Sequence, residues 1–209
     1  MKPLVPTVII LWLAAISLGM VGLWNDQSTA GHTQAQLAPW PAEAQVPHTG
    51  SGLTLVMFVH PHCPCTRASM RELAWVMARC QGQVAAHVLF LHPAGAPEGW
   101  VHTDLWDGFA RIPGVEVRMD DGGAEARRFG ADISGQVMLY DAQRKPLFSG
   151  GITPGRGHGG DNAGREAVVL LAAGKKAPQT QTAAFGCLLF TPAQPLQNPP
   201  AASAKQGNH

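Results

Sequence analysis

The sequence has few charged residues and few cysteines. Only 14% of its 209 residues are charged, and the formal net charge is +1, whereas an average soluble protein is about 25% charged. This low and balanced charge excludes an electrostatic nucleic-acid binder, which needs a clustered basic excess, and a highly charged disordered chain. Four cysteines are too few to hold a small domain together by disulfides. Two of them, Cys63 and Cys65, lie two positions apart, which is typical of a chemical site.

Residues 4–24 form a run without a charged side chain, between Lys2 and Asp26. A helix of about 20 apolar residues spans the hydrocarbon core of a bilayer. We therefore predict that residues 1–24 are an uncleaved transmembrane anchor; the alternative is a signal segment with a cleavage site at residues 28–30. Both interpretations export the rest of the chain. With the positive end inside, the domain faces the periplasm or the cell exterior, where thiols meet an oxidising environment.

The rest of the chain divides by composition into linker, domain and tail. Residues 25–51 are rich in Gln, Ala, Pro, Thr and Gly, which predicts a linker that holds the domain off the membrane. Residues 52–174 alternate strand-like and helix-like patterns, as a folded domain does. The Pro- and Ala-rich tail, 175–209, contains one apolar island at residues 185–190. We expect this island to dock on the domain, because exposed apolar clusters are unfavourable in water.

Nine elements are predicted within the domain. Strands are predicted over 53–60, 84–91, 115–119, 136–141 and 146–149, and helices over 67–80, 100–110, 125–129 and 161–173. Asp161 is the expected cap of the last helix, and Gly130 is the expected stop of the short third helix. Alternating strands and helices with a hairpin near the end predict an α/β domain, in which helices flank a central mixed sheet.

The segment over residues 60–69 joins the first strand to the first long helix and contains the turn Cys63-Pro64-Cys65. Sites in open α/β sheets form outside the carboxyl ends of strands. The free N–H groups and the dipole of a helix N-terminus stabilise a thiolate and lower the pKa of a thiol there. Pro64 suits this place, because the first helical turn does not need its missing N–H group. We predict two reactive thiols: exposure at the turn favours Cys63 as the attacking thiol, and the dipole favours Cys65.

The strand, the Cys-Pro-Cys turn, the helix and the elements that follow resemble the thioredoxin-like superfamily. The extra helix and strand at 100–120, followed by MDDGGAEARRFGA, resemble the membrane-anchored thiol-disulfide oxidoreductases of the TlpA and ResA type, and the chain is also similar to RedB-type thioredoxin-like proteins. The resemblance covers residues 53–173. It implies a thioredoxin-like fold and thiol–disulfide exchange without a cofactor, with protein thiols or disulfides as partners.

The motif departs from the Cys-x-x-Cys pattern of the family. Aligning Pro64-Cys65 with the Pro-Cys of the family leaves His62 where the first cysteine would be. A disulfide between residues two apart closes a small ring, which is expected to be strained and easily reduced. The buried acid of many thioredoxins has no counterpart in residues 53–59, so His60 or His62 is the expected proton acceptor. The predicted catalytic set is therefore Cys63, Cys65 and His62.

A second departure concerns the loop opposite the motif. The family has a cis-proline before its fourth strand, and counting back from residues 137–140 places Gly135 there. We expect Ser134 and Gly135 to form the loop that meets the substrate.

A metal site is the alternative interpretation of the same segment. His60, His62, Cys63 and Cys65 place two imidazoles and two thiolates within six residues, and such sets suit Cu(I) or zinc. The chain then resembles the Sco family of copper-binding assembly factors, but Ile133 stands where that family has its distant histidine. The alternative function is a Cu(I)-binding metallochaperone without catalytic turnover.

Two further functions stay open at this stage. One is a thioredoxin-like scaffold without turnover. The other is peroxide reduction, although the family pattern Thr-x-x-Cys is absent because Thr66 follows the cysteines.

The two remaining cysteines differ in their surroundings. Cys80 ends the first long helix at its apolar period, and we interpret it as inert core. Cys187 lies in the apolar island. It is either a buried small side chain or a resolving thiol that lies near the turn and pairs with Cys63 or Cys65. The Gly-rich loop over 153–162, with Arg156 and His158, is either a surface loop or a loop over the active site.

Overall fold

The computed structural model describes residues 4–28, 36–80 and 82–190. The first element, α1, is a helix over Leu4–Ser28 whose described side chains are exposed. Its stretch Val5–Asn25 is long and apolar enough to cross a membrane, by length and composition. This helix coincides with the predicted span, apart from residues 1–3, which lie outside the described residues.

The domain that follows has the predicted order of strands and helices. Its strands are β1 (Leu53–Val59), β2 (Val84–His92), β3 (Val115–Asp121), β4 (Gln136–Tyr140) and β5 (Pro146–Gly151), and its helices are α2 (Thr66–Cys80), α3 (Asp104–Ala110), α4 (Ala124–Phe129) and α5 (Ala163–Ala172). A short 3-10 turn, Glu98–Trp100, precedes α3. The predicted α/β architecture is therefore confirmed.

The five strands form one mixed sheet in the order β3-β2-β1-β4-β5. Strands β1, β2 and β3 run parallel, with Leu53 of β1 opposite Val84 of β2. Strand β4 runs antiparallel to β1, with Met57 opposite Val137, and pairs with β5 as a hairpin. Since β1 is the central strand, the segment that follows Val59 leaves the sheet at the middle of its carboxyl edge. The Cys63-Pro64-Cys65 turn lies in that segment.

Each face of the sheet has its own apolar core. Alternate residues of β1 point to opposite faces, as strand geometry requires. Leu55 and Met57 lie in the first core, which is covered by α2, α3 and α5. Val56 and Phe58 lie in the second core, which is covered by α4 and by residues from outside the predicted domain.

Part of the segment predicted as a linker, 25–51, packs on the second core. Trp40 and Val46 are buried there, and the Trp40 ring meets the rings of Phe129 and Tyr140 edge-on at 5.1 and 5.0 Å between centroids. The Tyr140 hydroxyl also donates a hydrogen bond to the Ala38 carbonyl oxygen at 3.2 Å. The physical reason is that α4 has six residues and leaves room on this face of the sheet. Residues 36–50 therefore belong to the domain and do not act as a free spacer.

Two helix boundaries differ from the prediction. The helix predicted over 100–110 begins only at Asp104, because Thr103 is extended (φ −102°, ψ 171°). The last helix begins at Ala163, and its cap is Asn162, whose side chain accepts a hydrogen bond from the Arg165 amide at 2.9 Å. Asp161 is therefore not the cap. Gly130, in contrast, ends α4 in the left-handed conformation (φ 68°), as predicted.

The apolar island at 185–190 lies against the loop that precedes β4. The Leu189 amide donates to the Asp132 carbonyl oxygen at 2.8 Å, and Leu188 forms an antiparallel bridge with Ile133. The Leu189 side chain is buried in the second core, and the Phe190 ring lies 4.1 Å from the Arg127 guanidinium. The rest of the predicted tail, 191–209, lies outside the described residues.

Candidate functional site

The Cys63-Pro64-Cys65 turn leads directly into the first turn of α2. The Thr66 amide donates to the Cys63 carbonyl oxygen at 3.1 Å, and the Ala68 amide donates to that of Cys65 at 3.0 Å. On its other side, the Cys63 amide donates to the His60 carbonyl oxygen at 3.1 Å. Both sulfurs therefore lie at the N-terminal end of a fifteen-residue helix, where partial positive charge is concentrated.

Cys63 is the buried sulfur of the turn, with 1% of its surface exposed. Burial acts to raise the pKa of its thiol, but hydrogen bonds from the Cys187 thiol and amide, the Thr66 hydroxyl and the Cys65 amide hold that pKa below the ordinary value. The Cys187 nitrogen lies 3.4 Å from the Cys63 sulfur. Because the donors outweigh the burial, the thiolate is the favoured form of Cys63 over a wider pH range than in an ordinary thiol.

Cys65 is only half-buried. Burial raises the pKa of its thiol, and the negative charge and the hydrogen bond of Cys63 act in the same direction; the charge of Arg156 and the Gly157 amide oppose them. The sequence argument that Cys63 is the more exposed thiol is wrong. The turn folds so that the first sulfur points inward under Cys187, and the second lies nearer the surface.

Cys187 is the third sulfur beside the turn, and it is half-buried. Burial raises the pKa of its thiol to about 12, and the hydrogen bond to Cys63 and the charges of Cys63 and Cys65 contribute to that increase. These interactions bring the predicted resolving thiol next to the predicted reactive pair. Of the four cysteines, only Cys80 lies elsewhere, at the far end of α2 in the first core.

The Gly-rich loop lies over the site. The Arg156 guanidinium donates to the Gly186 carbonyl oxygen at 2.9 Å, and its charge acts on the thiols of Cys65 and Cys187. The structure therefore places this loop beside the sulfurs of Cys65 and Cys187. The His158 ring is exposed, and its Nδ1 is hydrogen-bonded to the Arg156 carbonyl group at 2.7 Å.

A buried ion pair holds this loop in place. The Arg165 guanidinium donates to Glu72 at 2.7 Å, and the other carboxylate oxygen of Glu72 accepts a hydrogen bond from the Gly160 amide at 2.7 Å. Arg165 also pairs with Asp161, and its guanidinium carbon lies 4.0 Å from the centroid of the Trp75 ring. Our sequence analysis missed this pair. The available signal was Glu72 itself, a charged residue on the buried face of α2, four positions before Val76.

The two histidines of the segment contact an aromatic side chain. The exposed His62 ring is hydrogen-bonded through Nε2 to the Trp100 carbonyl group at 3.1 Å, and its centroid lies 4.7 Å from that of the Trp100 ring. The His60 Nδ1 atom accepts a hydrogen bond from the His62 amide at 3.2 Å. Burial and the charge of His62 lower the pKa of His60, so its ring is neutral at neutral pH. Trp100, which also packs against the first core, therefore lies beside the site.

The predicted substrate loop, Ser134 and Gly135, is already in contact with the rest of the chain. The Ser134 amide donates to the Cys187 carbonyl oxygen at 2.8 Å, and its hydroxyl accepts from the His60 amide at 2.8 Å. Gly135 has a φ of +92°, and a Cβ atom there would lie 2.7 Å from the Ser69 hydroxyl oxygen. Only glycine fits this position, because a side chain would meet both strain and a close contact.

The alternative metal set was His60, His62, Cys63 and Cys65. Within residues 4–28, 36–80 and 82–190, no group of three or more His, Cys, Asp or Glu side chains is arranged to hold a metal ion. Ile133, at the position of the distant ligand in the Sco family, is buried with 1% exposure. Cu(I) binding therefore stays a prediction from the sequence, and mass spectrometry of the protein with and without Cu(I) tests it.

No family model and no curated protein sequence matches the chain. Solved structures do match it. A hypothetical protein from Sinorhizobium meliloti 1021 is 22% identical, with a TM-score of 0.56 over 78% of this chain and 96% of that one. An uncharacterized conserved protein from Geobacillus kaustophilus is 18% identical, with a TM-score of 0.55 over 80% of this chain and 95% of that one. These two likenesses concern the fold alone.

A thioredoxin-like protein in its oxidised form also matches, with 12% identity and a TM-score of 0.44 over 72% of this chain and 95% of that one. The order of elements and the mixed sheet are those implied by the sequence resemblance. The chain has a thioredoxin-like fold. The Cys63-Pro64-Cys65 turn of this thioredoxin-like domain lies between β1 and α2, at the carboxyl edge of the sheet, where open α/β sheets form their sites.

Proposed function

We propose that the protein is a membrane-anchored, extracytoplasmic thiol-disulfide oxidoreductase, with Cys63 and Cys65 as its exchanging thiols. One observation carries this proposal: a buried sulfur with a stabilised thiolate adjoins a half-exposed sulfur in the same turn. Thiol–disulfide exchange needs both an attacking thiolate and a sulfur that a partner can reach. The resemblance to the TlpA and ResA type supports the same activity, with protein thiols or disulfides as partners.

In the reductive direction, Cys65 meets the partner, because it is the more accessible sulfur of the turn. Its thiolate attacks one sulfur of the partner disulfide, a mixed disulfide forms, and the other partner sulfur leaves as a thiolate. The proton of the Cys65 thiol passes to that leaving thiolate. Arg156 and the Gly157 amide favour the charged form of Cys65 and so assist this step.

Cys63 then resolves the mixed disulfide. Its thiolate attacks the Cys65 sulfur, the Cys63–Cys65 disulfide forms, and the second partner thiolate is released and takes up a proton. Two electrons have passed from the two cysteines to the partner disulfide. In the opposite direction, a partner thiolate attacks Cys65 and Cys63 leaves. A thiol with a lowered pKa is a good leaving group, so the oxidised turn reacts readily with partner thiols.

The exchange proposal is tested with the full-length protein in detergent and a disulfide-bonded peptide as substrate. We expect the variant Cys63→Ser to lose exchange, down to the rate without protein, because Cys63 is the sulfur that resolves the mixed disulfide. The variant Cys65→Ser should be slower than the wild-type protein, because the partner then has to reach the buried Cys63. The matched control is Cys80→Ser, which changes a buried cysteine outside the site and keeps the wild-type rate. If Cys63→Ser retains full activity while its circular dichroism spectrum is unchanged, the exchange centre lies elsewhere and the proposal is wrong.

The anchor is supported by α1, whose uncharged run follows Lys2. A positive N-terminal end stays inside, which directs the domain to the periplasm or the cell exterior. Fractionation of cells tests this part of the proposal: the mature protein should sediment with membranes and begin at or next to Met1. Recovery of a soluble exported form that begins near Gly31 would show that the segment is a cleaved signal.

A further inference from the structure

A third sulfur lies against the proposed exchange centre, on a segment far along the chain. On the basis of the proposed function, we propose that Cys187 is an internal exchange partner of Cys63. In this scheme Cys187 displaces Cys65 from the Cys63–Cys65 disulfide, so that Cys63 alternates between two partners. The oxidised state of the protein is then held by residues 124 positions apart, and Cys65 is free again.

The backbone of Cys187 is in contact with the Cys63 sulfur. The Cys187 nitrogen is 3.4 Å from that sulfur, and the two thiols are also hydrogen-bonded. A disulfide needs Cα atoms within about 7 Å and side chains that point toward each other. The contact between the Cys187 backbone and the Cys63 sulfur places the two residues next to each other, which such a bond requires.

The segment that carries Cys187 is fixed on both sides of it. The Ser134 amide donates to the Cys187 carbonyl oxygen and the Leu189 amide donates to the Asp132 carbonyl oxygen, both at 2.8 Å. Before Cys187, the Gly186 carbonyl oxygen accepts from Arg156 at 2.9 Å. These bonds hold the segment as a short antiparallel partner of residues 132–134. Hydrogen bonds on both sides of Cys187 therefore fix its position beside Cys63.

Gly186 is the position that permits this close approach. A Cβ atom at Gly186 would collide with the carbonyl oxygen of Ser134 and lie 3.3 Å from a methyl group of Ile133. The residue before Cys187 thus needs to lack a side chain for the segment to lie where it does. The neighbouring Leu189 is buried in the second core and anchors the segment from the other side.

The exchange step is an isomerisation that needs no further oxidant. The Cys187 thiolate attacks the Cys63 sulfur of the Cys63–Cys65 disulfide. The Cys63–Cys187 bond forms, the Cys63–Cys65 bond breaks, and Cys65 leaves as a thiolate that takes up the proton lost by Cys187. The partner disulfide that oxidised the turn has already received the two electrons, so oxidation states balance across the step.

Two physical differences drive the step forward. The Cys63–Cys65 disulfide closes a small ring, whose geometry is unfavourable, whereas a Cys63–Cys187 disulfide has no such ring. In addition, part of the increase in the pKa of Cys187 comes from the hydrogen bond to Cys63 and from its negative charge. Once Cys63 is oxidised, it carries no charge and those contributions end, while Arg156 still favours the thiolate. Burial, the largest cause of the raised pKa of Cys187, remains, but a larger fraction of Cys187 is thiolate than in the reduced protein.

The test is peptide mapping under non-reducing conditions, with the full-length protein in detergent, oxidised by glutathione disulfide. We expect the wild-type protein to contain the Cys63–Cys187 disulfide and the variant Cys65→Ser to form the same bond. The variant Cys187→Ser should contain only Cys63–Cys65. Its equilibrium constant for reduction by glutathione should exceed that of the wild-type protein by about tenfold or more, because only the strained ring remains. Cys80→Ser is the matched control and should match the wild-type protein.

The outcomes separate this inference from the proposed function. If Cys187 is free to alkylation in oxidised Cys65→Ser and Cys187→Ser has the wild-type equilibrium constant, the inference is wrong, whatever the exchange activity of the turn. If Cys63→Ser retains exchange with the peptide substrate, the proposed function is wrong, and the inference that rests on it is wrong as well. Thermal unfolding of each variant identifies any that do not fold, and Cys65→Ala then replaces Cys65→Ser.

Discussion

The two ends of helix α2 each carry a buried cysteine, and the two thiols differ in chemistry. Cys63 lies three residues before the helix with 1% exposure, and Cys80 is its last residue with 2% exposure. Hydrogen bonds nevertheless lower the pKa of Cys63, against the effect of its burial, whereas burial raises the pKa of Cys80. Equal burial therefore does not give equal reactivity, and the donors around each sulfur decide the difference.

The direction of the helix explains much of this contrast. At the N-terminal end, free N–H groups and hydroxyl groups point toward the sulfur, and Cys63 receives hydrogen bonds from the Cys65 amide and the Thr66 hydroxyl. At the C-terminal end, carbonyl groups are exposed and disfavour a negative charge. Cys80 has apolar neighbours of the first core instead. A buried cysteine at a helix N-terminus is thus a candidate for chemistry, and one at a C-terminus is a candidate for packing.

The largest predicted effect is the loss of stability in Glu72→Ala. The Glu72 carboxylate joins α2 to the loop over the site. In Glu72→Ala, the buried Arg165 loses its buried partner and keeps only the exposed Asp161, and Gly160 loses its acceptor. Removing one member of a buried ion pair costs about 3–5 kcal/mol of stability. Denaturation of the full-length protein in detergent measures this loss. The pKa of Cys65 should rise as well, because the loop no longer holds Arg156, whose charge acts on that thiol, in place.

The control is Asp104→Asn, which breaks the exposed pair of Asp104 and Arg67, separated by 2.6 Å. An exposed pair contributes about 1 kcal/mol or less, so this variant should remain close to the wild-type protein. A loss in Glu72→Ala no greater than that in Asp104→Asn would show that the buried pair does not hold the loop.

The second prediction concerns the hydroxyl group of Thr66, at the N-terminal end of α2. Thr66→Val keeps the shape of the side chain and removes a hydroxyl that acts to lower the pKa of Cys63. The same hydroxyl is hydrogen-bonded to the His60 carbonyl oxygen at 3.3 Å and to the Ser134 hydroxyl at 3.0 Å. A hydrogen bond to a charged group stabilises that charge, so the pKa of Cys63 should rise in this variant. The pH dependence of Cys63 alkylation, followed by mass spectrometry, measures the change. Thr66→Ser retains the hydroxyl and is the control; the same increase in both variants would contradict the role of this donor.

Local patterns were sufficient to predict the order of elements. Strands such as β1 are short apolar runs, and α2 has its apolar residues at helical spacing, so each element carries its own signal. The boundaries were less accurate where two residues compete for one role. Asp161 and Asn162 are both good capping residues, and the structure uses Asn162, because Asp161 pairs with Arg165.

Contacts between distant segments were harder to predict from the sequence. The apolar composition of the island led to the expectation of docking, and its cysteine led to the expectation of a third thiol near the turn. Trp40 gave no such signal, because it is a single aromatic residue in a segment of linker-like composition. The pairing of Glu72 and Arg165 also escaped prediction, since they are 93 positions apart and the position of Glu72 on the buried face of α2 does not name its partner.

The smallest effect should appear at the other end of α2, as a change in the pH dependence of stability. The raised pKa of Cys80 means that the folded protein holds the proton of this thiol at pH values where the unfolded chain has released it. The folded state then binds more protons, so this thiol makes stability fall as the pH rises above about 8.5, the value of an ordinary thiol. The slope contributed by one such group is at most about 1.4 kcal/mol per pH unit. Cys80→Ala removes this contribution.

At neutral pH, Cys80→Ala should cost about 1 kcal/mol, because a small buried side chain is lost from the first core. As the pH rises past about 8.5, the wild-type protein loses stability through Cys80 and the variant does not, so the difference between them should shrink. Denaturation of both proteins at neutral and at alkaline pH measures it. A difference that stays constant would mean that the pKa of Cys80 is the same in the folded and unfolded states. Burial would then not raise the pKa of Cys80, and the whole contrast between the two ends would come from the donors that lower the pKa of Cys63.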